Sequence, residues 1–280
     1  MPEVDLVTLA DAGAFVSHEH QSHLAEAVRM SDWSIDAARS LFRYRDGDGA
    51  AHEVRAHFIG TSSPDDGTWL WGWDNINGFP PAFVKQSERV RALGERYVIT
   101  EFTHRTLPLT DDLAPTILRA VKAVTGVTAH FSAPTGNGAT RAWLLLDDPV
   151  LALPRPTVVR AVAVLTSALA GGGPIDHRRA LTAWAEQRGA RLTGAGEEVV
   201  ELTLDDGSLQ VRFDPSGRIA GLGKRLHAAP PPTAEAAPEP APVAEEEPVP
   251  VDEALPAPRP EATDPGPPPR RGLLQRLLGH

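Results

Sequence analysis

Residues 52–74 have the sequence HEVRAHFIGTSSPDDGTWLWGWD, and their pattern decides the fold class. In residues 52–60, apolar and polar side chains alternate with a period of two, which is typical of a β-strand with one buried face. Residues 64–67 favour a turn, because proline, aspartate and glycine each suit a turn position. Residues 68–74 are therefore the returning strand, and residues 33–74 are predicted to form an antiparallel meander.

Helices and further strands are predicted around this meander. Apolar spacing of three and four residues predicts helices at Asp5–Met30, Pro81–Arg96, Asp111–Thr125, Arg155–Leu169 and Asp176–Arg188. Gly13 is a point at which the first helix can be interrupted. Strands are predicted at Trp33–Ile35, Ser40–Arg45, Tyr97–Thr106, Val127–Phe131, Thr140–Leu146, Glu198–Leu204, Ser208–Phe213 and Arg218–Leu222. These elements predict an α+β fold, with antiparallel sheet segments covered by helices.

The sharpest change of composition follows His227. Residues 228–269 hold more than half of the chain's 27 prolines, together with nine acidic residues and one basic residue. Proline removes a backbone donor, and the few apolar side chains cannot offset the entropy of ordering. Residues 228–269 are therefore predicted to be a disordered, acidic, proline-rich linker. Before it, residues 1–150 are assigned to an α+β domain with a tryptophan-rich strand. Residues 151–227 form a helical pair with a small β-meander, either in the same domain or as a separate one.

Three tryptophans are the most unusual local feature. Trp69, Trp71 and Trp73 alternate along the predicted returning strand, so all three would share one face of it. Such indoles could stack on a base, a sugar or a cation, with Asp74 and Asn75 supplying polar contacts. These five residues are the candidate ligand-binding set. The same indoles also suit a core beneath the helix that starts near Pro81, which is the more common use of tryptophan on a sheet.

The segments around the tryptophans carry a family resemblance. Phe58–Ser63, Gly67–Asn75 and Ser87–Gly94 resemble an uncharacterised bacterial domain-of-unknown-function family with a G-T-W-L-W-G-W-x-N signature. The resemblance covers about residues 30–150 and implies an α+β fold. It implies no activity, cofactor or catalytic residue.

No set of side chains predicts catalysis or metal binding. His18, His20 and His23 lack the i, i+4 spacing of zinc-protease histidines and have no obvious third ligand. The G-x-S-x-G pattern of serine hydrolases is absent. Paired aspartates such as Asp65 and Asp66 fall at predicted turns or helix starts, where aspartate is favoured for backbone reasons. We therefore expect no catalytic residue, no metal and no cofactor, and the sequence leaves enzyme activity open.

The last eleven residues, 270–280, differ from the linker before them. Their net charge is +3, and their leucines would share one helical face. Such a segment is too short to be a stable helix alone, but it could fold against a protein groove or an anionic membrane surface. The candidate docking residues are Arg270, Arg271, Leu273, Leu274, Leu277 and Leu278.

Composition limits the classes of function. The net charge of −10 opposes a general attraction to nucleic acid, and no apolar run is long enough to span a membrane. The chain has no cysteine and no secretion signal at its start, which favours a cytoplasmic protein, including one attached peripherally to the membrane. We expect a non-catalytic binding or adaptor protein with a tethered C-terminal docking motif. The alternative is a small-ligand-binding protein or enzyme that uses a pocket near the tryptophan strand.

Overall fold

The computed structural model describes residues 4–135, 138–194 and 198–227. Six helices are present in these ranges: α1 (Leu6–His23), α2 (Pro81–Tyr97), α3 (Thr100–Thr103), α4 (Leu113–Thr125), α5 (Val158–Ala170) and α6 (His177–Arg188). A π-helical turn at Leu24–Val28 continues α1. The strands are β1 (Ser31–Asp36), β2 (Leu41–Arg45), β3 (Ala51–Ser63), β4 (Thr68–Trp71), β5 (Thr106–Pro108), β6 (Ala129–Thr135), β7 (Thr140–Asp147), β8 (Arg191–Gly194), β9 (Val199–Leu204), β10 (Gly207–Phe213) and β11 (Ile219–Leu226).

A seven-stranded antiparallel sheet is built around the long strand β3. Strands β2 and β4 pair with successive parts of β3, while β7 pairs along its other side. Strand β1 extends the sheet from β2, β5 extends it from β4, and β6 extends it from β7. Helix α2 packs against β3. This arrangement confirms the predicted α+β fold with antiparallel sheet segments and covering helices.

The returning strand is shorter than its sequence predicts. Strand β4 ends at Trp71, and Gly72–Asp74 form a 3-10 turn, so Trp73 leaves the strand. A side chain at position 72 would meet the Phe58 carbonyl oxygen at 2.8 Å, so only glycine lets the chain pass this close to β3. Asn75 then adopts a left-handed conformation, with φ of 45°, and ends the turn. The prediction that one strand face carries all three indoles is therefore wrong.

The predicted strand Tyr97–Thr106 is also wrong. Val98 ends α2 in the left-handed region, with φ of 58°, and the chain then forms the short helix α3 before β5. Ile99 and Phe102, three residues apart, are both buried. Their spacing fits a helical turn and not a strand, since strand neighbours on one face are two residues apart.

The part of the chain after residue 150 adds a helical pair and a second sheet. Helix α6 starts at an Asp176 cap, as predicted, because the Asp176 side chain accepts a hydrogen bond from the Arg179 backbone N–H. The second sheet has four strands in the order β11-β10-β9-β8. Three of them match the predicted meander. The sequence pattern missed β8, whose four residues are too few to show an alternation.

Helix α1 is the element that the other helices share. It packs on α4, α5 and α6, and Phe15 and Val16 belong to the apolar core formed with α5, α6 and the second sheet. Gly13 does not interrupt it. A Cβ atom at Gly13 would lie 2.0 Å from the Arg119 carbonyl oxygen, so glycine is what lets α1 and α4 approach. None of the helices in the described ranges is long and apolar enough to cross a membrane.

Candidate functional site

The three predicted ligand-binding tryptophans lie in the protein core. Trp69, Trp71 and Trp73 are all buried, in one apolar cluster with residues that include Val90 and Phe102. The Trp71 indole donates a hydrogen bond of 2.8 Å to the Glu101 carbonyl oxygen. The rings of Trp69 and Trp71 meet edge to face, with centroids 5.5 Å apart. Aromatic pairs prefer this geometry, so the indoles hold the sheet and the helices together.

The two polar members of the predicted set shape the loop after the 3-10 turn. The Asp74 carboxylate accepts a hydrogen bond of 2.8 Å from the exposed Arg105 guanidinium. The Asn75 amide bonds both backbone groups of Phe79, so it closes the loop between β4 and α2. Ligand binding at Trp69, Trp71, Trp73, Asp74 and Asn75 stays a prediction. The docking residues Arg270, Arg271, Leu273, Leu274, Leu277 and Leu278 lie outside the described residues.

The polar side chains of α1 form the feature that sequence analysis missed. Asp11, Ser17, Glu19 and His20 are all buried, and we call them the α1 polar seam. Sequence analysis considered this part of the helix only for metal binding by His18, His20 and His23. The structure instead places it between helices, where each buried polar group needs a partner.

Two carboxylates of the seam attach α1 to the helical pair. Glu19 accepts hydrogen bonds from the Arg160 guanidinium and the Trp184 indole, each at 2.9 Å, and Arg188 lies 3.1 Å from it as an ion pair. Asp11 accepts from the backbone N–H groups of Ile175 and Asp176, at the start of α6. Both carboxylates therefore have structural partners.

Ser17 belongs to a different kind of contact. The Lys122 Nζ atom of α4 lies 2.7 Å from Ser17 Oγ and 2.7 Å from His130 Nδ1 of β6. Lys122 is only 1% exposed, and Ser17 is 8% exposed. Buried lysines usually pair with a carboxylate, but both hydrogen-bond partners of this amine are neutral groups. We call these three residues the Ser17–Lys122–His130 chain.

The two partners of Lys122 fit a neutral amine. An ammonium group carries three protons and needs three acceptors, whereas a neutral amine has two protons and one lone pair. Burial lowers the pKa of Lys122 well below its ordinary value. Burial, and then the nearby Lys122, also lower the pKa of His130 well below its ordinary value. With Nδ1 accepting from Lys122, the His130 ring carries its proton on Nε2 and can donate from there.

The histidines of α1 are held by other residues. His20 Nδ1 lies 2.6 Å from the Thr128 hydroxyl, and Nε2 lies 2.8 Å from the Leu151 carbonyl oxygen. Burial lowers the pKa of His20 to about 4. His18 Nε2 bonds the Ser167 hydroxyl at 2.7 Å. The described ranges contain no group of three histidine, aspartate or glutamate side chains placed to hold a metal ion.

A cleft of about 420 Å³ opens in front of Ser17. We call it the α1–α4 cleft. Helices α1 and α4 form its floor, Trp143 and His130 come from the sheet, and the turn Gly171–Pro174 between α5 and α6 forms a further wall. Clefts of this size hold small molecules. Lys122 does not line this cleft, but it lines a second cleft of about 350 Å³ together with His20 and Arg188.

Arg119 supplies the positive charge of this cleft. Its terminal nitrogens donate to the Gly173 carbonyl oxygen and the Thr116 hydroxyl, each at 3.3 Å. Its Nε–H is buried and has no hydrogen-bond partner. Burial lowers the pKa of Arg119, while the negative charge of Asp112 raises it. Asp112 lines the same cleft. A donor without an acceptor at a cleft wall marks a place where a ligand oxygen would fit.

A smaller apolar cavity of about 120 Å³ lies nearer the tryptophan segment. Its walls include Phe58, Phe79 and Phe83, together with Leu144. Its polar lining residues are Thr61, Asn77 and Thr135, and it has no charged lining residue, in contrast to the α1–α4 cleft.

One signal in the sequence could have revealed the site. Lys122 falls on the stripe of α4 that also carries Ala114, Leu118 and Val121, and that stripe is buried. A lysine on an apolar helix face requires a special partner. The identity of that partner is not readable from the sequence, because Ser17 precedes Lys122 by 105 residues.

Comparison with known proteins places the chain in a family. The chain matches no curated protein and no solved structure. A family model matches residues 7–149. This range contains Ser17, Arg119, Lys122 and His130, while Gly171–Pro174 lie beyond it. The chain therefore belongs to DUF6882, a family of unknown function.

Proposed function

We propose that the protein binds a small molecule carrying a carboxylate or carbonyl group in the α1–α4 cleft. The observation that carries this proposal is the buried Arg119 Nε–H, a donor without a partner at the wall of a cleft of about 420 Å³. The His130 ring offers a second donor on the same cleft. Two donors on residues that line one cleft favour a ligand with acceptor oxygens.

The rest of the cleft supports an aromatic or apolar body for this ligand. Trp143 gives the cleft an aromatic wall, and its indole N–H already donates to Ser62 at 2.9 Å, which fixes the ring. Ala14, Leu118 and Ala168 add apolar surface. Small-molecule sites usually combine a mostly apolar lining with a few well-placed polar groups.

Benzoate is a suitable first probe, because it joins an aromatic ring to a carboxylate. We expect saturable one-to-one binding by isothermal titration calorimetry. Arg119→Gln should weaken it by about 10- to 100-fold, since a hydrogen bond to a charged group contributes about 1.5–3 kcal/mol. Asp112→Asn should strengthen binding by removing a like charge.

The control is Arg141→Gln, which removes an exposed arginine that contacts Ser132 and does not line the cleft. Its benzoate affinity should equal that of the unchanged chain. Equal affinities in the Arg119→Gln and Arg141→Gln variants would contradict the proposed site.

A second proposal concerns the C-terminal residues 270–280. We propose that they dock the protein on an anionic membrane surface, so that a cytoplasmic protein becomes peripherally attached. Four leucines and a net charge of +3 support this proposal, because leucines can enter the membrane interface and arginines are attracted to anionic lipids. The attachment would be weak and reversible, since the apolar face is small.

Flotation with vesicles of 30% phosphatidylserine tests this second proposal. The full chain should float, and a full-length variant with Leu273, Leu274, Leu277 and Leu278 changed to alanine should not. Equal flotation of both chains would contradict membrane docking. If the unchanged chain binds a protein partner but never floats with vesicles, the docking surface is a protein groove and not a membrane.

A further inference from the structure

We propose that Ser17 is a nucleophile, that Lys122 is its general base, and that the α1–α4 cleft hydrolyses small carboxylic esters. This inference rests on the proposed ligand site, because the carboxylate expected there would be the acid product of the reaction. It adds a chemical step to binding.

The position of Ser17 fits a nucleophile. Its hydroxyl oxygen lies 2.7 Å from Lys122 Nζ, which is within the range for direct proton transfer. Ser17 lines the α1–α4 cleft, whereas Lys122 does not line it and instead borders a second cleft of about 350 Å³. A substrate in the α1–α4 cleft would therefore meet the Ser17 hydroxyl and not the amine.

The surroundings of Lys122 fit a base. The titratable groups that face it are His20 of α1, His130 of β6 and Arg188 of α6. None of them is an acid, and Glu19, a buried carboxylate of the seam, is already paired with Arg160 and Arg188. Burial disfavours a charged ammonium, so the amine keeps a lone pair that can accept the serine proton.

His130 is a positioning residue for this base. Its Nδ1 atom accepts from Lys122 Nζ at 2.7 Å and thereby directs the lone pair toward Ser17. Gln21 holds the backbone of His130 through two hydrogen bonds of 3.2 Å, one to its carbonyl oxygen and one from its N–H. The arrangement supplies the orienting third group that an activated nucleophile needs.

The remaining requirement is a positive group for the oxyanion. Arg119 precedes Lys122 on α4 and lines the same cleft as Ser17, and its Nε–H has no partner in the structure. A fixed donor of this kind stabilises negative charge that develops on a carbonyl oxygen.

The reaction balances with water as the only other reactant. Ser17 Oγ bonds to the acyl carbon while its proton moves to Lys122 Nζ, and the ester C–O bond then breaks as the alcohol takes that proton. Water next bonds to the acyl carbon and gives a proton to Lys122. The acyl–Ser17 bond breaks, Ser17 Oγ regains the proton, and a carboxylic acid leaves. No oxidant, reductant or metal is required.

A fluorophosphonate probe on the full chain tests this inference. Ser17 Oγ should bond to phosphorus while the P–F bond breaks, and peptide mass spectrometry should find the adduct on Ser17. Ser17→Ala should abolish labelling. Lys122→Met should slow it by about 100-fold or more, in the range of general-base catalysis. Ser132→Ala, on the same strand as His130 and outside the cleft lining, should label at the normal rate.

The labelling rate of the unchanged chain also has a diagnostic pH dependence. It should rise with pH through an apparent pKa below the ordinary lysine value of about 10.4. This measurement needs no variant, so it holds even where Lys122→Met fails to fold. A pH-independent rate, an adduct on another residue, or equal labelling of Lys122→Met overturns the inference.

Benzoate titration in parallel separates this inference from the binding proposal. Benzoate binding without an adduct on Ser17 overturns the esterase inference and leaves the binding proposal standing. Absence of both overturns both. An adduct on Ser17 without benzoate binding supports the nucleophile and overturns the proposed carboxylate ligand.

Discussion

The tryptophan cluster and the α1 polar seam are both buried, but they are built from opposite materials. Trp69, Trp71 and Trp73 fill space with large apolar rings. The seam fills it with carboxylates, a hydroxyl and an imidazole that each need a partner. Apolar packing tolerates no open volume, whereas polar groups beside a cleft can exchange partners with a ligand. The comparison indicates that function should be sought at α1 and not at the three indoles.

The largest effect should come from the apolar side of this comparison. Trp71→Ala removes a fully buried ring and its bond to the Glu101 carbonyl, so the free energy of unfolding should fall by about 3–5 kcal/mol. Urea unfolding followed by circular dichroism measures this loss. Trp33→Ala, at a half-buried ring, is the control and should cost less. Equal losses would mean that Trp71 contributes no more to stability than the half-buried Trp33.

The carboxylate part of the seam should give the next largest effect. Glu19→Gln leaves Arg160 and Arg188 without their buried counter-charge, which should cost about 3 kcal/mol in the free energy of unfolding. Glu53→Gln breaks an exposed pair with Arg43 and should cost at most about 1 kcal/mol. If the two variants unfold at the same urea concentration, Glu19 is not the anchor of α1.

The close packing of α1 on α4 should have an intermediate effect on the free energy of unfolding. Gly13→Ala places a Cβ where the Arg119 carbonyl oxygen lies, so α1 and α4 must separate at a cost of about 1–3 kcal/mol. Alanine's better helix propensity offsets only about 1 kcal/mol of this cost. Gly194→Ala, whose Cβ would meet nothing within 4 Å, is the matched control. Benzoate affinity should fall only in the Gly13 variant, because only there does the cleft floor change.

The last prediction concerns the change of stability with pH. The pKa of Lys122 is lowered by folding, so the unfolded chain binds one more proton between that pKa and the ordinary lysine pKa of about 10.4. Stability should therefore rise with pH in this window by up to about 1.4 kcal/mol per pH unit, and be lost as pH falls.

Lys122→Met should remove this slope, since methionine does not titrate. The free energy of unfolding of both chains between pH 8 and 10 tests it. Lys85→Met, at an exposed lysine of α2, is the control and should keep the slope. Identical slopes in the unchanged chain and Lys122→Met would show that Lys122 stays charged in the folded protein, against the proposed base.

Local patterns were sufficient to predict most of the elements. The period-two alternation in β3 and the cap at Asp176 were read correctly, since both signals depend on residues close in the chain. The errors occurred where tertiary contacts override the local pattern. Trp73 leaves the strand because Gly72 passes close to Phe58, and Phe102 forms part of a short helix because the core lies on one side of it.

The sequence by itself determined the α+β class, the antiparallel meander and the abrupt change of composition after His227. These follow from periodicity, turn residues and composition, which act over a few neighbouring residues. Only the tertiary structure decided that Ser17, Lys122 and His130 meet at the wall of a cleft. Their contact joins a helix, a second helix and a strand, and the physical reason it forms is the packing of α1 between α4 and the helical pair, which no local pattern records.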